Sequence, residues 1–492
     1  MPQLATALRA PARQRPARPS ATLAVTGAAT AVALMNYTAP MLTLPDTAAA
    51  FGTPDSARAW LLNGTPLGLA VLLLVAGSLA DAHGRRRVFL LGTLALGATT
   101  GLGAFSGSTL TFTLARIAQG AASAAVLAGS LGLLADAYPS GRDRIRATGV
   151  WGASVSGGIA LGPLLAGALS LVDWRLAYGV LGLGALVIAA AGTRTLGPET
   201  AKAPGRETAK TARREPAKAS RREPAKASRR EPAKASHRTR PDLPGALTLG
   251  LALASLLTAL TLGRDGWLRL PVGLLLLASA ALTAIFVAVE HRSRTPMVDL
   301  ALLRRPAFLA STLGALFTGL AVIGLFSVVP ALLQSGAGMS PLGAAWLFVL
   351  WSGTAFVVAL QARRLAGRLS AAYQLTLGFT LSATGVLALL GALEGPWPRL
   401  LPGLLVAGAG SGLLNAALPR LAVDSVPPEQ AAMGSGANNT ARYIGSAAGV
   451  ALTLALTPAG PDTALLVSAG LALTGAAITL VLGRRPDRRP RR

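Results

Sequence analysis

Apolar runs of about twenty residues, separated by short polar breaks, recur along the whole chain and predict its architecture. Roughly 30 Å of hydrocarbon is crossed at about 1.5 Å per residue, so each run is long enough for one spanning helix. The predicted spans are 22–44, 58–80, 87–106, 109–134, 147–170, 174–194, 243–263, 269–290, 307–330, 341–361, 371–392, 400–422, 433–457 and 463–483. Backbone amides in lipid must pair within their own segment, which favours helices. The alternating segments of about ten residues that build a transmembrane barrel do not occur. The pattern therefore predicts an all-α polytopic membrane protein with fourteen spans.

Composition agrees. The 492 residues are 52% hydrophobic and 13% charged, against about 25% charge in an ordinary soluble domain. The chain has no cysteine, which excludes disulfides, thiolate metal sites and a cysteine nucleophile. His83, His237 and His291 all fall in the polar breaks. No nucleophile–base pair, metal cluster or phosphate-binding loop is visible, so no enzyme and no cofactor is expected. The first apolar run is long and lacks a small-residue cleavage site, unlike a cleavable signal peptide.

The net charge of +26 is a topology signal rather than a nucleic-acid footprint. With the N-terminus inside, 39 of the 46 Lys and Arg fall on the inner side and five on the outer side. Positive charge marks the cytoplasmic face, so an even number of spans with both termini cytoplasmic is expected. Only Arg116 and Arg442 lie deep within spans, away from the span ends.

One break is long. Residues 195–242 repeat Arg-Arg-Glu-Pro-Ala-Lys at 213–218, 221–226 and 229–234. Proline in each repeat, dense charge and no apolar face predict a solvated, disordered linker. Its cations would also adhere to anionic headgroups, at about 1 kcal/mol per basic residue near the surface. The expected organisation is a tail (1–21), six spans (22–194), the linker (195–242), two spans (243–290), six spans (307–483) and a basic tail (484–492).

Candidate chemistry sits at the interruptions. Gly77-Ser-Leu-Ala-Asp81-Ala-His-Gly84-Arg85-Arg86-Arg87 joins the second and third spans. Arg116 lies in the fourth span, with Gln119 and Gly120 three and four residues on and so on its face. A cation in the membrane is costly and reads as functional; arginine does not give up its proton, so its role is to tune a neighbour or hold an acceptor. In the fifth span Ser154, Gly158, Gly162 and Ala166 recur every four residues beside Pro163 and Gly167. That spacing makes a smooth groove for close helix approach, and Pro163 removes one amide. Arg442 lies near the middle of the thirteenth span with Asn438 on its face, and Asn415 follows a glycine-rich run in the twelfth. Tyr37, Trp151 and Trp351 are candidate cavity walls.

These motifs resemble those of the major facilitator superfamily, and of its fourteen-helix drug:proton antiporters in particular. The 77–87 loop is similar to the family's Gly-x-Leu-Ala-Asp-Arg-x-Gly-Arg-Arg loop between helices two and three. Leu114–Gly120 resembles the fourth-helix motif whose arginine is implicated in proton coupling. Gly158–Gly167 resembles the antiporter motif, with Ala166 in place of one glycine. Asp173-Trp174-Arg175, Asp242–Gly245, Gly263–Trp267 and the stretch from Glu290 through Pro296 to Phe308 extend the likeness over nearly the whole chain.

The resemblance implies two six-helix bundles around a central cavity, with two extra helices between them. It also implies a cytoplasmic latch in which Asp136 joins Arg85, and a monomer that exports a small drug or antibiotic in exchange for protons. One departure stands out. The family's first span carries an aspartate, where this chain has Asn36, which does not titrate. Asp46 and Asp81 are the nearest acids, at the outer and inner span ends. Two further readings therefore stay open: an exporter or facilitator of the same fold not driven by protons, and a non-transporting membrane sensor or scaffold. Two central cations without a carboxylate favour neutral or anionic cargo.

Overall fold

The computed structural model describes residues 19–138, 141–197, 243–263, 266, 268–292, 300–365, 369–427 and 430–484. Nearly all of the linker, the outer part of both tails and the side chain of Asp81 lie outside the described residues.

The described residues contain helices and no strand. The first six predicted spans appear as α1 (Pro19–Thr38) continuing into α2 (Pro40–Ala50), then α3 (Arg58–His83), α4 (Arg85–Ala104), α5 (Thr109–Ala137), α6 (Gly141–Leu169) and α7 (Trp174–Thr195). Next come α8 (Leu243–Leu262) and α9 (Leu270–Arg292). The rest comprises α10 (Pro306–Phe317), α11 (Gly324–Ser335), α12 (Pro341–Leu365), α13 (Ala371–Leu387), α14 (Leu400–Asp424), α15 (Ala431–Leu456) and α16 (Pro461–Arg484). Among the described residues, nine helical segments have the length and apolar composition to cross a membrane.

Two helices differ from the uniform rods that the apolar runs predict. The first breaks at Ala39, before Pro40, whose ring removes a backbone donor, and runs on to Ala50. The ninth predicted span is α10 and α11 joined by a π-helical turn, Thr318–Ile323.

Small residues set the closest packing, and the two ends of the chain repeat one scheme. Along α6, Ser154 touches Gly27; a Cβ on Gly158 would lie 2.5 Å from the Ala31 carbonyl, and one on Gly162 would lie 2.7 Å from the Met35 carbonyl. The groove read from sequence thus receives α1, whose own contact residues also recur every four positions. Likewise Gly319 and Gly324 on the π turn and α11 abut Arg442–Gly445 and Gly449 of α15, backbone against backbone.

Contacts between the first six and last six helices gather at the end opposite Arg85. There Gly167 of α6 meets Pro341 and Ala345 of α12, and Gln334 Nε2 donates to the Leu42 carbonyl at 3.1 Å. Leu44, Ala48 and Leu61 share one buried cluster with Val328, Ala331, Val450 and Leu454. In the same cluster Phe112, Trp174 and Tyr178, with Phe51 against them, pack edge to face or tilted, with centroids 5.3–5.9 Å apart. That end is closed.

Of the next pair, α8 lies against the seam between α3 and α15, and α9 packs on α8. Asn63 of α3 is its polar pin, donating at 3.0 Å to the Ala447 carbonyl of α15 and at 3.3 Å to Thr261 Oγ1 of α8.

Candidate transport cavity

A cavity of about 690 Å³, its open mouth included, lies at the seam between the first and last six helices. Its walls come from α1, α2, α6, α11, α12, α14 and α15, with Ile323 of the π turn. Five aromatic side chains line it: Tyr37, Phe326, Phe348, Trp351 and Phe356. The Phe326 and Trp351 rings stack 4.4 Å apart at 10°, and Phe348 tilts against Trp351 at 5.2 Å.

Arg442 is the one charged residue among the described residues lining the cavity. Its Nη1 donates to Asn415 Oδ1 at 3.4 Å, while its buried Nε has no partner. Trp351 Nε1 is likewise buried without an acceptor. Tyr37 reaches from α1 to Ser446 of α15, hydroxyl to hydroxyl at 3.0 Å, and its ring meets Tyr443 edge-on.

The two intramembrane arginines part company here. Arg116 is fully buried and is not among the residues lining the cavity. Its Nη1 donates to Asn36 Oδ1 at 2.9 Å and to Gln119 Oε1 at 2.5 Å. Asn36 donates onward to Thr100 Oγ1, and Gln119 Nε2 donates to the Thr99 carbonyl at 3.1 Å. This knot ties α1, α4 and α5 together. Of the five N–H groups of a guanidinium, those on Nε and Nη2 of Arg116 lack partners. Its Cζ lies 5.8 Å from the Tyr178 ring centroid, within cation–π reach. Gly120, on the same face, sits against Thr65 and Gly68 of α3 and is a packing residue.

Two further candidates also lie off the cavity. Trp151 Nε1 donates at 3.0 Å to both Thr30 Oγ1 and Ser130 Oγ. Asn438 Nδ2 donates to the carbonyl and hydroxyl of Ser311 at 3.0 and 2.9 Å. Both hold helices together. Asp46 lies in α2, partly exposed near the closed end.

At the opposite end, Gly84 (φ 101°) turns the chain between α3 and α4. A side chain resists that conformation, so glycine suits the turn. Arg85 then pairs with Asp136 at 2.9 Å and donates to the Gly132 carbonyl at 3.2 Å. Arg86 caps the end of α7 through the carbonyls of Leu196 and Thr193, both at 3.1 Å, a favourable place for a cation at a helix C-terminus. The Arg85–Asp136 pair joins α4 to α5, both within the first six helices. A Cβ on Gly77 would meet nothing within 4 Å among the described residues.

Sequence reasoning missed Phe326, Phe348, Phe356 and Ser411 on the cavity wall. Apolar aromatics facing lipid or a cavity look alike along a chain. The signal that could have found them is their neighbourhood: Trp351, Arg442 and Asn415 were each visible as intramembrane polar or amphipathic groups.

Comparison with known proteins gives the same fold. A family model described as Major Facilitator Superfamily matches residues 26–450 and 311–492. The chain is 29% identical to the multidrug resistance protein Stp of Mycobacterium tuberculosis, over 88% of this chain and 74% of that one. It is 30% identical to the probable actinorhodin transporter of Streptomyces coelicolor, over 89% and 72%. It is also 30% identical to the puromycin resistance protein pur8 of Streptomyces alboniger, over 87% and 80%. A solved auto-inhibited POT family peptide transporter superposes with a TM-score of 0.65 at 17% identity, covering 96% of this chain and 99% of that one. On helices, seam and family match together, this multi-pass membrane protein belongs to the major facilitator superfamily.

Proposed function

We propose that this chain exports a small amphipathic drug or antibiotic across the cytoplasmic membrane by alternating access. The observation that carries the reading is the seam cavity, walled by aromatics, placed between the two six-helix sets and closed at one end. Rocking the two sets about that site would open it to either side in turn. The printed names of the relatives, which speak of drug resistance and transport, support export of a small molecule.

The finer features follow from the same reading. The molecule works as a monomer of fourteen spans, two six-helix domains with α8–α9 at their seam. The basic side carries both termini and faces the cytoplasm, where the linker lies near anionic headgroups. The closed end is then the outer one, and Arg85 and Asp136 mark the inner face. Protons drive the exchange. A second reading, export without proton coupling, is supported by the amide of Asn36 standing on Arg116 where the family has an acid.

Cells expressing the chain in a pump-deleted host should accumulate less drug from a panel of antibiotics than cells without it. Collapsing the pH gradient while keeping the electrical potential should stop this export under the first reading and leave it intact under the second. Equal accumulation with and without the chain, across the whole panel, removes the exporter reading.

A further inference from the structure

We infer that the cargo is a flat aromatic acid, its anionic group held by Arg442 and its ring system lying along the Trp351–Phe326 wall. The inference rests on the cavity being the cargo site, as proposed above, and names the class of molecule that fits it.

Charge is the first reason. Arg442 lines the cavity, no acidic residue is among the described residues lining it, and no ion pair among the described residues includes Arg442 or Arg116. A cationic cargo would enter a site whose one charge has its own sign, in surroundings that screen poorly. An anion instead supplies the counter-charge.

Orphaned donors are the second reason. Arg442 Nε and Trp351 Nε1 are buried with no acceptor, although buried N–H groups are nearly always paired. Arg442 Nη1 holds Asn415 only at 3.4 Å, a long contact that a carboxylate, phenolate or sulfonate would readily displace. Paired planar oxygens match a guanidinium in fork geometry, and the cavity supplies the donors for that acid and no acceptor of comparable strength.

Shape is the third reason. The stacked pair Phe326–Trp351 with Phe348 against it makes a three-ring cluster on the cavity wall, and Tyr37 and Phe356 also line the cavity. Offset stacking on such a wall favours flat ring systems over globular or aliphatic cargo.

The test uses the full chain, purified and reconstituted in lipid nanodiscs. Three probes share one ring system: anthraquinone-2-carboxylate, its neutral carboxamide, and a permanently cationic trimethylammonium derivative. Binding is read by quenching of tryptophan fluorescence. The acid should bind about tenfold or more tighter than the amide, the scale of one charge-assisted hydrogen bond in a shielded site. The cation should bind weakest. Arg442→Gln should erase the preference for acid over amide, weakening the acid far more than the amide, and Arg442→Lys should keep most of the preference because the charge remains. Amide binding by Arg442→Gln also reports that the variant is folded. If that variant does not fold, the three-probe ranking on the unaltered chain and on Arg442→Lys still decides.

Binding of the cation or the amide as tightly as the acid overturns the inference. So does a preference that survives loss of the arginine. Drug accumulation in cells separates this from the exporter reading. Export of neutral and cationic drugs only would keep the exporter and sink the acid, whereas tight acid binding without any export would keep the site and sink the exporter.

Discussion

Arg116 and Asn36, 80 residues apart in the chain, meet at 2.9 Å with the arginine donating and the amide accepting. A neutral side chain therefore stands against a fully buried guanidinium. Asn36→Asp would place a counter-charge there and complete a buried ion pair. The expected outcome is a raised thermal unfolding midpoint and export that becomes more dependent on the pH gradient. Asn36→Leu removes the acceptor instead and should cost about 1.5–3 kcal/mol of stability, as for other hydrogen bonds to charged groups. Unfolding midpoints of the purified variants, with export measured in inverted vesicles, check both. If Asn36→Asp changes neither quantity, the charge of Arg116 is already balanced and uncoupled export loses its support.

Two glycines of α6, five residues apart, should respond in opposite ways. A Cβ on Gly162 would drive into Thr38 and the Met35 backbone of α1, whereas one on Gly157 meets nothing within 4 Å. Gly162→Ala should cost about 1–3 kcal/mol through overpacking and reduce export. Gly157→Ala should be neutral or gain up to about 1 kcal/mol from helix propensity. The same unfolding assay compares them, and equal effects would mean that the groove on α6 does not seat α1.

Much of this was legible along the chain, for reasons that differ by residue. Apolar runs report helices because lipid forces backbone pairing within a segment, so the helices recur where the runs lie. The every-fourth-residue series on α6 announced close packing, because only small side chains allow it. What it lacked was the partner, since α1 carries its complementary series over 120 residues earlier. Arg116 and Arg442 looked equivalent, as each is a cation deep in a span. Only the arrangement of α1, α4 and α5 shows that the first is sealed in an amide knot, while the second lines open space. The π turn at Thr318–Ile323 has no period of its own that distinguishes it from the α-helix on either side.

Arg85 and Asp136 are about one-third and one-half exposed, and such pairs contribute about 0–1 kcal/mol. Arg85→Ala should therefore leave the unfolding midpoint nearly unchanged. If the pair helps select between conformations of the transporter, the initial rate of export should fall by far more than stability does. Exchanging the two charges should restore the rate only in part, because Arg85 also donates to the Gly132 carbonyl and an aspartate in its place would not. A full loss of folding in Arg85→Ala would instead assign the pair to holding α4 on α5.

The absence of cysteine makes the closed end directly testable, since any introduced pair is unique. A Cβ on Gly167 would lie 3.0 Å from that of Ala345, close to the roughly 3.8 Å of a disulfide, and a small outward shift of α6 supplies the rest. In the variant carrying Gly167→Cys and Ala345→Cys, oxidation should tie α6 to α12 across the seam. Protease cleavage between the sixth and seventh spans, followed by a non-reducing gel, shows whether the two parts remain joined. Export should stop on oxidation and return with a reductant, because the cavity opens to the other side only if these helices separate. Quantitative cross-linking with undiminished export would show that the two six-helix sets do not part at this contact, and the cargo would then have to leave by another path.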